Sequence, residues 1–150
     1  MNLLAKVKVN RIISSESKDT ITNEYDSIFN VFKDKDIILL GESTHSDETT
    51  FAFKTEMIKY LHKKMGFSVI AFESGRFEAE YFNRHIDSTY FDRILWHFWA
   101  ESAYCNRLLD YIQNSQNSLL PIHVEGFDLQ ASGNLKIIER IKIVDDYLKN

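Results

Sequence analysis

The sequence predicts an α/β fold, with a parallel central sheet carrying helices on both faces. Three observations predict it. Short apolar runs with little polar alternation recur along the chain: DIILLG at 36–41, FSVIAFE at 67–73 and, more weakly, PIHVEGFD at 121–128. Such runs suit strands buried on both faces. Helix-length segments separate the runs, and strands alternating with helices imply a parallel sheet. Finally, each run leads into an acid, at Glu42, Glu73 and Asp128. In open parallel sheets ligands bind beyond the carboxyl ends of the strands, so these three carboxylates are expected along one rim. Acids are also poor strand formers and end strands for that reason alone.

The elements follow in order. Residues 15–33 mix charge with Ile21, Tyr25, Ile28 and Phe32, a helical spacing. Helices are expected near 47–65, 76–86, 101–114 and 134–149, the last carrying Leu135, Ile138, Ile141 and Leu148 among charges. The predicted order is therefore α-β-α-β-α-α-β-α. One proline and five glycines punctuate 150 residues, with no repeat or low-complexity linker. That length suits a single domain over 1–150, in which 1–35 form a helical N-terminal extension.

Composition narrows the function classes. Hydrophobic residues make up 44% and charged residues 27%, ordinary values for a globular protein. The net charge of −4 supplies no basic excess to neutralise phosphates, so neither nucleic acid nor an anionic membrane is an expected partner. Cys105 is the single cysteine, which rules out an internal disulfide and suits a reducing, cytoplasmic location. The opening MNLLAKVKVNRII lacks the apolar core of a signal peptide. No apolar run approaches the roughly 18 residues of a membrane span.

Chemistry concentrates after the first apolar run. Glu42 and His45 stand three apart in ILLGESTHSDE, between a buried run and a helix start. A carboxylate beside an imidazole fixes its tautomer and raises its basicity, as a general base requires. The same letters also read as a capping turn, since Ser43, Thr44, Ser46 and Asp47 are all good helix caps. Lys54 sharpens the choice. It falls within the apolar stripe made by Phe51, Ile58, Leu61 and Met65. Burying an unpaired ammonium is costly, so Lys54 needs a partner and can turn towards Glu42 or Glu73. A snorkelling lysine is the plainer alternative.

The remaining candidates are weaker. His62 lies off the stripe and is expected in solvent. His85 sits near a helix end, where a cation suits the dipole. His123 alternates with Pro121 and Glu125. His97 belongs to LWHFWAE, an aromatic cluster with Trp96 and Trp99 that suits core, or the wall of a pocket for an apolar ligand. Arg76 follows Glu73 closely enough to pair with it, and Cys105 suits core packing. The chain has no G-x-S-x-G elbow, H-E-x-x-H, P-loop or dinucleotide fingerprint.

LGESTH, followed by FAFKTEMIKYLHKKMGFSVIAFE, resembles the erythromycin esterase family and its G-E-[AS]-T-H-G turn. The spacing from His45 to Lys54, then Gly66-Phe67, then Glu73 is similar to the family's. HFWAESAYCNRLLDYIQNSQ (97–116) resembles the family's tryptophan-containing segment, and GFDLQASG (126–133) its third strand end. The resemblance runs over about 36–133 and concerns the family's N-terminal half. It implies a hydrolase that opens an ester or lactone, macrolides among them, without an acyl-enzyme. His45 would activate water, Glu42 would orient His45, and Glu73 and Lys54 would complete the polar centre. Trp99, Asp128 and Arg76 would line the substrate side. Ser46 departs from the family's glycine. Family enzymes are longer, with further strands and histidines in their second half, so an incomplete or minimal version of the fold is expected here.

The resemblance calls for no cofactor and no metal, and for a small-molecule ester as partner. Two other readings stay open. Glu42, His45, Glu73 and Asp128 could ligate Zn²⁺ or Mn²⁺ in a metal-dependent hydrolase. The chain could also be a non-catalytic α/β binding module, self-associating through an open sheet edge.

Overall fold

The computed structural model describes residues 25–42, 44, 47–86, 95–130, 135 and 137–149. The fold class is the expected one, α/β, with helices and a small parallel sheet of two strands. A short helix α1 (Asp26–Phe29) runs into a 3-10 turn at Asn30–Phe32. Then follow α2 (Glu48–Met65), β1 (Val69–Gly75), α3 (Arg76–Arg84), α4 (His97–Ala100), α5 (Ala103–Ser115), β2 (His123–Asp128) and α6 (Ile137–Leu148).

Local chemistry fixes the ends of α2. The Asp47 carboxylate accepts the backbone N–H of Thr49 at 3.0 Å and of Thr50 at 3.3 Å, and the Thr50 hydroxyl at 2.6 Å. These bonds, that from the Thr50 hydroxyl foremost, hold the Asp47 carboxyl below its ordinary value. They also satisfy donors that every helix start leaves open. At the other end Gly66 adopts φ 78°, and its N–H donates to the His62 carbonyl at 3.2 Å. Glycine suits this left-handed cap because it has no Cβ to clash.

The two strands pair in parallel, from Val69 opposite His123 to Phe72 opposite Gly126. Gly75 then faces Asp128, so β1 carries one extra residue, a bulge. Gly126 is required there. A Cβ at this position would lie 2.5 Å from the carbonyl oxygens of both Ser74 and Gly75. The outer side of β2 is guarded by α3: the Asn83 amide donates to the Val124 carbonyl at 2.6 Å and accepts its N–H at 3.0 Å.

Burial along both strands has period two. Phe72, Ser74, Val124 and Gly126 are buried, while Val69, Ala71, Glu73, His123 and Phe127 are exposed. Among the described residues, the helices therefore cover one face of the sheet, where the sequence predicts helices on both. The apolar runs look unalternating because Val69, Ala71 and Phe127 put apolar side chains on the open face as well. The covered face carries the larger core, in which Phe72, Phe82, Leu109, Ile112 and Val124 meet.

The run 36–41 differs more from expectation. It forms no strand among the described residues. Ile38 and Leu40 pack on a second cluster made by Phe29, Met57, Tyr60 and Leu61, while Ile37 and Leu39 are exposed. Its order comes from α1 and α2 instead of strand pairing. Tyr60 locks these two helices together: its hydroxyl donates to Asp26 at 2.6 Å, which pushes the phenol pKa up. Helix α6 buries Ile143 and leaves Ile137, Ile138, Ile141 and Leu148 exposed. Arg140 ties it to Glu78 of α3 at 3.1 Å.

Candidate functional site

The sequence anomaly in α2 resolves into a contact. Lys54 is 8% exposed, and its Nζ donates to Glu42 Oε2 at 2.9 Å. Of the two acids within its expected reach, the lysine takes Glu42. The turn that starts α2 brings the carboxylate over the second helical turn, where Lys54 emerges on the buried side. Each side chain of the pair keeps about a tenth of its surface in solvent, at 11% and 12%. In such a pair each charge offsets part of the other's desolvation.

Two rings complete the surroundings. The Lys54 ammonium lies 5.2 Å from the ring centre of Trp99 and 5.7 Å from that of Phe51, within cation–π range. The rings touch each other at 4.4 Å, and Trp99 meets the edge of Phe72 at 6.5 Å. Thus the polar centre is connected through Trp99 to the covered face of β1. Phe51 was legible as core from its spacing, but nothing in the sequence paired it with Trp99 from a separate helix.

Cys105 of α5 lies against this centre, 3% exposed. Burial pushes its thiol pKa up to about 12, with the Glu42 carboxylate adding to the shift and Lys54 opposing it. The thiol is a core group, as expected, and not a nucleophile. Its ordinary value is 9.0. Unfolding therefore releases a proton between pH 9.0 and about 12. The stabilisation is complete below pH 9.0 and is lost as pH rises through that window. The expected result is a thiol that resists iodoacetamide in the folded protein at pH 8, and a Cys105→Ala variant with a flatter loss of melting temperature above pH 9. Rapid alkylation of the folded protein would contradict the assignment.

The other expected site residues are distributed differently. Glu73 is exposed on the open sheet face, one residue past Phe72, because the strand alternates. Arg76 opens α3 in solvent and forms no ion pair with Glu73. Asp128 is half-buried and turns back to accept the Gln130 N–H at 2.9 Å. The structure thus brings Glu42, Lys54 and Trp99 together and leaves Glu73, Arg76 and Asp128 apart from them. His45 lies outside the described residues, as does the side chain of His97. Among the described residues, no three His, Cys, Asp or Glu side chains are placed to hold a metal ion.

His62 is not a solvated histidine. Its Nε2 donates to the Leu120 carbonyl at 2.8 Å, so Nδ1 accepts the Tyr111 hydroxyl at 2.7 Å. It staples α2 to α5 and to the approach of β2. His85 caps α3, its Nδ1 donating to the Tyr81 carbonyl at 3.0 Å, and His123 pairs with Glu125 at the surface. Glu78 went unnoticed in the sequence. It is 1% exposed in the first turn of α3 and is paired with Arg140, a contact between distant segments that no local pattern signals.

No helix among the described residues is long and apolar enough to cross a membrane. No protein-family model matches the chain, and no solved structure matches it. Among curated proteins, the chain is similar to one from Bacillus subtilis (strain 168) named "Putative hydrolase YbfO". The two are 37% identical over 125 residues, which is 77% of this chain and 27% of the relative. The chain is a partial homologue of that protein and spans about a quarter of its length.

Proposed function

We propose that the chain is a hydrolase of the erythromycin esterase type, opening an ester or lactone with water activated by His45. The observation that carries this reading is the Lys54–Glu42 pair at 2.9 Å, a largely buried carboxylate three residues before the motif histidine joined to a cation nine residues after it. The similarity to a Bacillus hydrolase supports the reaction class. The match of LGESTH and its downstream spacing to the esterase pattern supports the substrate class.

The roles follow from the chemistry. His45 takes a proton from water while the oxygen attacks the ester carbonyl carbon. Glu42 orients His45. Lys54 stabilises the negative charge that develops on the carbonyl oxygen, which works best where water is largely excluded. The tetrahedral intermediate then expels the alcohol, which recovers the proton from His45. Acid and alcohol leave without a covalent enzyme intermediate.

The test is hydrolysis of a panel of simple esters, lactones and macrolides by wild type beside His45→Ala, both shown to be folded by circular dichroism. Removing a general base is expected to lower kcat by about 10²–10⁴-fold. Equal rates in the two proteins, or no turnover in either, would sink the reading for this chain.

A further inference from the structure

We propose that Phe51 and Trp99 are positioning residues that hold the Lys54 ammonium on Glu42, with Trp99 acting through the lysine and not by touching substrate. The proposal deepens the hydrolase reading and rests on it for its kinetic consequences.

The geometry points one way. A lysine has four rotatable carbons and many conformers, and a single ion pair leaves much of that freedom in place. Here the ammonium has three sides occupied: Glu42 Oε2 at 2.9 Å, the Trp99 ring at 5.2 Å and the Phe51 ring at 5.7 Å. Phe51 is on the same helix as Lys54, three residues earlier, so it alone would leave the ammonium open above the helix. Trp99 comes from α4 and closes that side. Its contacts with Phe51 at 4.4 Å and Phe72 at 6.5 Å fix the indole between α2 and the sheet. Ring faces attract a cation more strongly where water is excluded, as around this largely buried lysine. The indole therefore lies against a protein cation, not across an open pocket.

Two readouts test this. In reductive dimethylation with formaldehyde, read by mass spectrometry, Lys54 of the folded wild type should label slowly beside exposed Lys64. Trp99→Leu should raise the Lys54 rate about tenfold, and Trp99→Phe, which keeps a ring, should restore protection. Phe51→Leu provides the same comparison from the other ring if Trp99→Leu does not fold. In ester hydrolysis, Trp99→Leu should lower kcat about tenfold with KM little changed, again recovered by Trp99→Phe. A raised KM with kcat intact would overturn the proposal and make Trp99 a substrate contact. Unchanged Lys54 labelling in both ring-removing variants would overturn it too. If wild type hydrolyses no ester, the hydrolase reading fails, and the labelling alone still decides whether the rings hold Lys54.

Discussion

Gly126→Ala should cost the protein about 3 kcal/mol or more, enough to disrupt the sheet. The added methyl would meet the carbonyl oxygens of Ser74 and Gly75, each 2.5 Å away. Neither oxygen belongs to a flexible side chain, so relief requires opening the bulge where β1 and β2 are held together. A domain of this size has only about 5–15 kcal/mol of stability to lose. Urea denaturation should show a strongly lowered midpoint, and amide exchange should quicken along 69–75 and 123–128. Gly41→Ala is the control. A Cβ there meets nothing within 4 Å, and the expected change is within about 0.5 kcal/mol. Equal behaviour of the two variants would show that the close approach at Gly126 is not real.

The second large effect concerns the ion pair. Lys54→Met removes the cation but leaves the Glu42 carboxylate with about an eighth of its surface in water. Breaking such a pair from one side is expected to cost about 3 kcal/mol at neutral pH, the low end of the range because the pair is not fully dry. The double variant Glu42→Gln/Lys54→Met should recover much of that loss, since no charge is stranded. Hydrolysis, on the proposed mechanism, should fall in both. The decisive comparison is of denaturation midpoints. A single variant no less stable than the double one would mean that Glu42 reaches solvent, and the centre would lose its dry character.

Much of this was legible in sequence because the signals were local. Asp47 stood among four candidate caps before α2, and the stripe from Phe51 to Met65 reads as α2. Lys54 stood out because it sat where an apolar residue belonged, and one tertiary contact explained it. The runs at 67–73 and 121–128 were strands. The run at 36–41 shares their composition but forms no strand among the described residues, since pairing depends on a neighbouring chain and not on the run itself. The acids showed the same limit. Three strand-ending carboxylates looked alike, yet pleating turns Glu73 outward, a local turn occupies Asp128, and only Glu42 meets a cation. Contacts such as Phe51 with Trp99, or Glu78 with Arg140, join residues about fifty apart or more and leave no periodic trace.

Asn83 has a consequence for how the sheet can grow. Along β2, successive residues turn their backbone groups to opposite sides. The His123 N–H donates to Ser68, towards β1, so Val124 presents its N–H and C=O outward. These are the first groups a third strand beside β2 would need, and the Asn83 amide already occupies both. A newcomer would exchange two good hydrogen bonds for two others and would have to lever α3 off its packing to do so. Lateral addition on this side is thus opposed by a single side chain acting as one rung of a missing strand. Another chain, or another copy of this one, that extended the sheet beside β2 would first have to displace Asn83.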